Sequence, residues 1–245
     1  MTARATFATA LRVLSQIRRD PRTIALLVGV PSVLMTLLKY VLQDQEPTFQ
    51  RIGIPLLGLF PLISMFLVTS ITMLRERAGG TLERLMTLPL SKPDILVGYA
   101  LAFGLLATLQ GVVVSAVGFW ALGLESAHSV AIVVLLAVSN ALLGMSLGLL
   151  LSALARTEFQ AVQFMPAVVF PQLLLCGIVV ERSRMAPFLE AVSAVFPMTY
   201  AYDALARAVS PAAFGSEIGV DVAVTIGVTI LSLGLGALTL RRRTP

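Results

Sequence analysis

The segment RERAGGTLERLMTLPLSKPD, residues 75–94, separates two apolar runs that contain no charged residue, 52–74 and 95–124. Each run is long enough to cross a membrane, since a helix needs roughly 20 apolar residues to span about 30 Å of hydrocarbon. The segment between them carries four basic side chains, which are costly to bury in lipid. The sequence therefore predicts two membrane-spanning helices joined by a short polar connection.

The composition of the whole chain extends this interpretation to its other apolar runs. Of the 245 residues, 57% are hydrophobic and only 13% are charged, and the mean hydropathy is +0.91, which is far from the values of soluble domains. Backbone groups in lipid must bond within their own segment, so uninterrupted runs of this length form helices. We predict one all-α membrane domain over residues 1–245, with six transmembrane helices. Their charge-free cores are 24–38 (continuing past Lys39 to 42), 52–74, 95–124, 130–155, 159–180 and 222–240.

The net charge of +5 and the isoelectric point near 10.0 do not indicate nucleic-acid binding, because the basic residues are distributed by membrane side. Thirteen of the 18 lysines and arginines lie on the same predicted side of the membrane as the connection 75–94. Arginine and lysine are enriched in cytoplasmic loops. We therefore predict a multi-pass protein of the plasma (inner) membrane, with both termini in the cytoplasm and no nucleic-acid partner. The basic residues predicted inside are Arg4, Arg12, Arg18, Arg19, Arg22, Arg75, Arg77, Arg84, Lys92, Arg156, Arg241, Arg242 and Arg243.

Residues 3–19 precede the first apolar run and have the pattern of an amphipathic helix. Their apolar and polar residues separate onto two sides at helical spacing, which predicts an interfacial helix. A solvated cytoplasmic tail is the alternative that the pattern leaves open. The apolar side holds Phe7, Ala10, Leu11, Val13, Leu14 and Ile17, and the polar side holds Thr9, Arg12, Gln16 and Arg19.

Two apolar runs contain paired prolines, Pro55 with Pro61 and Pro166 with Pro171. Each proline removes a backbone donor and clashes with the preceding turn, so we expect kinks or local unwinding in these spans. The segment 181–211 is different, because its apolar pieces are too short to cross a bilayer. Asp203 and Arg207 within it would cost a few kcal/mol at the bilayer centre. We predict outer re-entrant helices here, between spans five and six.

Neither of two enzyme motifs supports an enzymatic function for this chain. GMSLG, residues 144–148, matches a hydrolase nucleophile motif, which requires a strand, a turn and a histidine base. The match lies within an apolar run, and the single histidine, His128, precedes that run. Gly144 and Gly148, one turn apart, predict instead a close approach of another helix. The sequence has no Gly-Lys pair, so it has no phosphate-binding loop of the G-x-x-x-x-G-K type.

Four amides lie within or at the ends of the apolar runs: Gln110, Asn140, Gln163 and Gln172. Polar groups in hydrocarbon need partners, so these side chains face other helices or a cavity. Hydrogen bonds between helices and contact with a transported compound are both compatible with their positions. The apolar runs contain no cluster of acidic residues that could carry protons or bind sodium ions. This argues against an ion-driven transporter.

The connection between the second and third spans predicts a short helix of its own, over residues 80–88. Gly79 and Gly80 break the preceding helix, Thr81 can cap the new one, and Pro89 ends it. Leu82, Leu85 and Met86 then share one face at helical spacing, beside Glu83 and Arg84. Each buried leucine contributes roughly 1.5 to 3 kcal/mol, so this face is suited to contact a partner.

Two motifs on opposite sides of the membrane resemble one family. R-E-R-x-x-G-T-L-E-R-L followed by P-L-S, residues 75–91, is similar to the cytoplasmic loop of the permease subunits of type-2 ATP-binding cassette (ABC) exporters. CGIVV at 176–180, followed by MAPFLEAVSAVFPMTYAYDALARA at 185–208, resembles the outer re-entrant region of that family. The resemblance covers nearly the whole chain and includes the N-terminal helix and the six spans.

This resemblance implies how the work of transport is divided. A separate cytoplasmic ATPase pair would bind ATP and magnesium, and this chain would carry no cofactor. The helix 80–88 would be the coupling helix that the ATPase grips, and two permeases, identical or related, would form the path within membrane lipid. The residues implied for ATPase coupling are Arg75, Glu76, Arg77, Gly80, Thr81, Leu82, Glu83, Arg84, Leu85 and Met86. Those implied for the outer gate are Phe196, Pro197, Tyr200 and Asp203, and candidates for the substrate path are Asn140, Gln163 and Gln172.

The sequence therefore favours the membrane subunit of an ATP-driven exporter of an amphiphilic drug, lipid or lipid-linked compound, with a role in multidrug efflux and antibiotic resistance. The alternative is a membrane module of the same fold that assists assembly or sensing and that a cassette ATPase regulates without transport. At the outer gate, Tyr200 and Asp203 could also bond to each other and only cap a helix.

Overall fold

The structure is a computed structural model that describes residues 3–81, 92–210 and 215–239. In these ranges the regular elements are all helical, with π-helical turns at Val117–Ala121 and Met165–Val169 and a 3₁₀ turn at Arg182–Arg184. This agrees with the predicted all-α class. The α-helices are α1 (Ala3–Arg18), α2 (Pro21–Val41), α3 (Glu46–Ala78), α4 (Lys92–Ala116), α5 (Val130–Leu151), α6 (Glu158–Phe164), α7 (Phe170–Leu175), α8 (Pro187–Ser193), α9 (Pro197–Val209) and α10 (Ser216–Leu238).

Five helical segments of the described chain are long and apolar enough to cross a membrane. They are α2, α3, α4 with its π-helical turn, α5 and α10. The remaining predicted span, 159–180, contains α6, the turn Met165–Val169 and α7, and regular helix ends at Leu175. The count of six spans therefore stays a prediction, whereas the multi-pass character of the chain is clear.

Helix α3 is the centre of the bundle. Within its most apolar stretch, 67% of the residues are buried, compared with 17% for α2 and for α10. It packs against α2, α4, α5, α6 and α9, and its longest contact is with α5. Large side chains such as Phe49, Leu57 and Phe66 are fully buried along it. Helices α2 and α10 therefore lie at the periphery, with most of their apolar surface exposed.

The close contact between α3 and α5 depends on two glycines. A Cβ atom at Gly144 would lie 2.0 Å from the backbone oxygen of Leu62, and one at Gly148 would lie 2.4 Å from that of Phe66. Real Cβ atoms do not approach backbone so closely, so only glycine fits at both positions. The prediction that this pair serves close helix packing is confirmed.

Helix α1 packs along the first half of α4, and Gly98 provides the space. A Cβ atom there would lie 2.6 Å from Cβ of Thr9. Ala10, Val13 and Ile17 are buried in this contact, whereas Phe7 and Leu11 are each 64% exposed. The predicted apolar side is thus divided into a face against protein and a face free to contact lipid. Thr9, assigned to the polar side, is in fact buried.

Asp20 caps the start of α2. Its carboxylate accepts hydrogen bonds from the backbone nitrogen of Thr23 at 3.2 Å and from the Thr23 hydroxyl at 2.7 Å. These bonds, the side-chain bond foremost, lower the pKa of Asp20. The cap fixes the point at which the chain turns from α1 into α2.

The prolines have different effects in the two runs. Helix α3 continues as one α-helix through Pro55 and Pro61. In contrast, Pro166 lies in the π-helical turn and Pro171 lies in the first turn of α7. Local unwinding is therefore confirmed for the run 159–180 and not for α3. The first span also contains a proline, Pro31, which lies inside α2.

Candidate functional site

The last turn of α3 carries a charge cluster that joins three helices. Glu76 is only 9% exposed, although it lies near the end of the helix. Its Oε2 accepts hydrogen bonds from Arg12 Nη2 at 3.2 Å and from the Tyr99 hydroxyl at 2.7 Å. Gln16 Nε2 donates to the other carboxylate oxygen at 3.2 Å. We call these four residues the Glu76 cluster.

The bonds of the Glu76 cluster connect α1 and α4 to the end of α3. Arg12 and Gln16 belong to α1 and Tyr99 belongs to α4. Arg12 also donates to the Tyr99 hydroxyl, and its guanidinium carbon lies 5.7 Å from the centre of the Tyr99 ring. A buried carboxylate is stable only when it is paired and hydrogen-bonded. The cluster therefore fixes the position of α1 relative to the end of α3.

Both arginines in the last turn of α3 make contacts outside the Glu76 cluster. Arg75 forms two hydrogen bonds with the carboxylate of Glu158, both at 2.8 Å, and so joins α3 to the start of α6. This exposed pair lowers the pKa of Glu158, mainly through its hydrogen bond from Arg75. Arg77 donates to the Thr239 hydroxyl at 3.3 Å, beyond the end of α10. The end of α3 is thus connected to four other helices.

The glycine break predicted after this turn is present. Helix α3 ends at Ala78, and Gly80 has a φ of +68°, a conformation that side chains other than glycine rarely adopt. Thr81 is the last described residue before the connection continues. The other residues predicted for ATPase coupling lie outside the described residues, as does most of the helix 80–88: Leu82, Glu83, Arg84, Leu85 and Met86.

An open cavity of about 220 Å³ adjoins the Glu76 cluster. It lies between α1, the start of α2 and the end of α3, and most of the residues that line it are polar. Gln16, Asp20 and Thr81 are among the lining residues, so the cavity opens beside the point where the undescribed connection begins. The coupling residues Arg75 and Glu76 also line it.

On the opposite side of the bundle, Arg182 holds the segment that was predicted to re-enter. It donates to Asp203 Oδ2 at 2.9 Å and to Ser193 Oγ at 3.0 Å, so it joins α8 and α9. Burial raises the pKa of Asp203, and the nearby Arg182 opposes this shift. Arg207 adds bonds to Asp221, at 3.0 Å, and to Glu217, which attach α9 to α10.

The predicted gate residues lie in the first two turns of α9. Phe196 is the residue before the helix and Pro197 is its first residue. Tyr200 donates to the carbonyl of Ala194 at 2.8 Å, whereas Asp203 is bonded to Arg182. The alternative in which Tyr200 and Asp203 bond to each other is therefore wrong. The two short helices of this segment are present, and their depth in the membrane stays a prediction.

The three residues predicted for the substrate path have different surroundings. Asn140 on α5 is 1% exposed and donates to the carbonyl of Ala201 in α9 at 2.9 Å. Gln172 is also buried and donates to the carbonyl of Val168 in the preceding turn. Gln163 on α6 is exposed. Asn140 thus connects two helices, and of these three residues only Gln163 is exposed on the surface of the described structure.

The sequence did not reveal the Glu76 cluster as a unit. The helical pattern predicts Arg12 and Gln16 on a polar face, and the family resemblance implies Glu76 at a contact with the ATPase, whereas neither gives Tyr99 a role. A tyrosine one turn inside an apolar run, near an expected charged helix end, is the signal that was available.

Comparison with known proteins places this architecture in a family. The family model described as ABC-2 type transporter matches residues 4–209, which include the Glu76 cluster and the segment held by Arg182. The chain belongs to the ABC-2 type transporter family. As an ABC-2 protein with several apolar helices, it is a multi-pass membrane protein.

Individual relatives support the same placement of this ABC-2 protein. It is 32% identical over 148 residues to the probable multidrug ABC transporter permease YbhR of Escherichia coli strain K12, which covers 60% of this chain and 40% of the relative. It is 24% identical over 178 residues to the probable permease YbhS of the same organism, covering 72% of this chain and 47% of the relative. ABC transporter G family member 20 of Dictyostelium discoideum is 29% identical over 138 residues, which is 56% of this chain and 19% of that protein. The ABC-2 chain thus spans less than half the length of each of these relatives.

Proposed function

We propose that this chain is the membrane-spanning subunit of an ATP-driven exporter that moves an amphiphilic drug, lipid or lipid-linked compound out of the cytoplasm or the inner leaflet. Family membership and the names of the relatives as multidrug permeases support the proposal. A separate cytoplasmic ABC ATPase, with ATP and magnesium, supplies the energy. The end of α3 that carries the Glu76 cluster faces the cytoplasm, as do both termini.

The Glu76 cluster is the observation that carries this proposal. A force on the connection after Gly80 acts directly on the last turn of α3, because α3 ends two residues earlier. The hydrogen bonds that Arg12 and Tyr99 donate to Glu76 pass that displacement to α1 and α4. An ATPase that contacts the connection differently before and after ATP hydrolysis would therefore shift several helices together.

A second permease, identical or related, completes the transport path in this proposal. Helix α2 presents exposed Leu26, Val33 and Leu37 along its length, and α10 presents Ile230 and Leu231. These peripheral apolar faces are available to membrane lipid and to the second permease. The segment from Phe196 to Asp203 acts as the outer gate, where the bonds of Arg182 and Arg207 hold the closed position.

The experiment is copurification followed by a functional assay. A tagged form of this chain is coexpressed with a candidate ABC ATPase from the same genome, and the complex is reconstituted in nanodiscs. We expect an ATPase subunit in the complex and ATP hydrolysis that increases at least about twofold with an amphiphilic compound. Recovery of a complex whose hydrolysis and lipid-vesicle efflux respond to no compound would favour the regulated, non-transporting module. Absence of an ATPase from the complex would contradict both.

A further inference from the structure

Helix α2 contains a break in its hydrogen-bonding pattern at Pro31. In a regular helix the carbonyl of Leu27 would accept a bond from the backbone nitrogen of residue 31, and proline has no N–H to donate. The helix nevertheless continues from Pro21 to Val41. Leu27 is 2% exposed, so its carbonyl lies where water does not compensate for the missing donor.

A side chain from a neighbouring span supplies that donor. Gln110 on α4 is fully buried, and its Nε2 lies 2.6 Å from the carbonyl oxygen of Leu27. The same nitrogen donates to the hydroxyl of Ser64 on α3, and that hydroxyl donates to the carbonyl of Pro61 at 3.2 Å. One amide group therefore joins α2, α3 and α4 at the level of the proline.

The partners fix the orientation of this amide. The carbonyl of Leu27 can only accept a hydrogen bond, so the NH₂ group of Gln110 must face it. The hydroxyl of Ser64 already uses its hydrogen toward Pro61, so it also acts as an acceptor. Gln110 cannot be replaced here by a carboxylate or an aliphatic side chain without leaving the Leu27 carbonyl unpaired.

Helix α2 buries only a small part of its surface against the described part of the bundle. Only 17% of its apolar stretch is buried. The hydroxyls of Ser32 and Thr36 donate to carbonyls of α2 itself. Among the described residues, the bond from Gln110 is thus the polar attachment of the middle of α2 to the bundle. Bending at Pro31 costs less than bending elsewhere in α2, because the bond from residue 31 to the carbonyl of Leu27 is absent.

We propose that Gln110 is a positioning residue that attaches the first span to the bundle at its proline, and that α2 pivots about this joint. The joint itself is independent of transport. Its use as a pivot between inward and outward states rests on the proposed function. The two parts are therefore tested by different measurements.

The joint is tested by a double-mutant cycle in thermal unfolding. Gln110→Leu should lower Tm by on the order of 5 °C, since it leaves a buried carbonyl unpaired. In a Pro31→Ala background, residue 31 regains its N–H and bonds to Leu27, so the same substitution should lower Tm by less than half as much. Thr108→Val on the same helix is the control, because it removes only an exposed bond to Gly104, and should leave Tm within about 1 °C. An equal decrease in Tm from Gln110→Leu in both backgrounds would contradict the proposal that Gln110 attaches α2 at Pro31.

The pivot is tested by distances between spin labels, with no ATPase required. Labels at Val41 and Trp120, which are 76% and 86% exposed, report on the end of α2 relative to the end of α4. The native thiol Cys176 is replaced by alanine in all samples. We expect a broad distance distribution in nanodiscs that widens further in Gln110→Leu and narrows in Pro31→Ala. One narrow distribution that is the same in all three proteins would overturn the pivot while leaving the proposed transport function untouched.

Discussion

Glu76 combines two properties that are rarely found together, a charge and near-complete burial at a helix end. Its carboxylate is stable there because Arg12, Gln16 and Tyr99 satisfy it from two other helices. The pairing makes α1 part of the bundle, although its composition is that of a surface helix. A change to any one partner therefore acts on the position of a whole element.

Tyr99→Phe tests this cluster at a single atom. It removes the hydroxyl that donates to Glu76 at 2.7 Å while keeping the ring. We expect a loss of about 1.5–3 kcal/mol in the free energy of unfolding, because hydrogen bonds to charged groups are the strong ones. The measurement is an SDS titration of the purified protein.

Tyr200→Phe is the matched control for this substitution. It also removes a hydroxyl, but that hydroxyl donates to the carbonyl of Ala194 in a solvent-accessible position. We expect a loss of at most about 1 kcal/mol. Equal losses in the two variants would show that the Glu76 cluster contributes no more than an ordinary surface contact.

The raised pKa of Asp203 predicts the direction in which the stability of the folded protein changes with pH. Burial raises its pKa in the folded protein, against the opposing charge of Arg182. The folded state therefore favours the protonated form, and this contribution to stability is full below the unfolded pKa and is lost as pH rises through the folded pKa. Asp203→Asn removes the titration. The stability of the native protein relative to Asp203→Asn, measured by Tm, should fall as pH rises above the ordinary aspartate pKa of 3.8, with Asp221 and Arg207 unchanged nearby. A difference that is constant or rises with pH would contradict this sign.

At the scale of elements, the contact between α3 and α5 explains the compactness of the bundle. Gly144 and Gly148 place the two helix backbones in contact, and hydrocarbon offers no hydrophobic drive that would replace this packing. Gly144→Ala would place a methyl group 2.0 Å from the oxygen of Leu62. We expect a loss of at least about 1–3 kcal/mol in the free energy of unfolding.

Gly227→Ala on α10 provides the comparison, because no atom of the described residues lies within 4 Å of its added Cβ atom. There we expect no loss, or a gain of about 0.5–1 kcal/mol from the better helix former. Both variants are measured in the same SDS titration. If Gly144→Ala were as stable as Gly227→Ala, the packing of α3 on α5 could not be as close as described.

The sequence predicted the elements better than it predicted their partners. Apolar runs and glycine pairs are local signals, so the long helices, the break after Ala78 and the glycine contact were all predictable. Bonds such as Gln110 to Leu27 join residues 83 positions apart, and no local pattern encodes them. The position of Pro31 could have indicated a free carbonyl four residues earlier, but not the helix that would satisfy it. The interrupted run 159–180 departs from a regular span because Pro166 favours local unwinding.

In the whole molecule, hydrogen-bonded charged residues connect the helices at both ends of one bundle. The Glu76 cluster ties the predicted cytoplasmic end together, and Arg182 with Arg207 ties the opposite end. Helix α3 runs between them as the most buried element. A displacement at the predicted cytoplasmic end of α3 can therefore reach α9, which packs directly against α3.

The most direct test of the proposed function measures ATP hydrolysis and cargo efflux together in proteoliposomes that contain this chain and the proposed ATPase partner. The variant is Leu82→Asp, on the predicted coupling helix, and the control is Leu154→Asp, an exposed leucine in the turn between α5 and α6. We expect Leu82→Asp to insert normally and to lose at least about tenfold in efflux per ATP hydrolysed, while Leu154→Asp stays within twofold of the native protein. Native efflux in Leu82→Asp, or efflux by the native chain in the absence of any ATPase, would contradict the account.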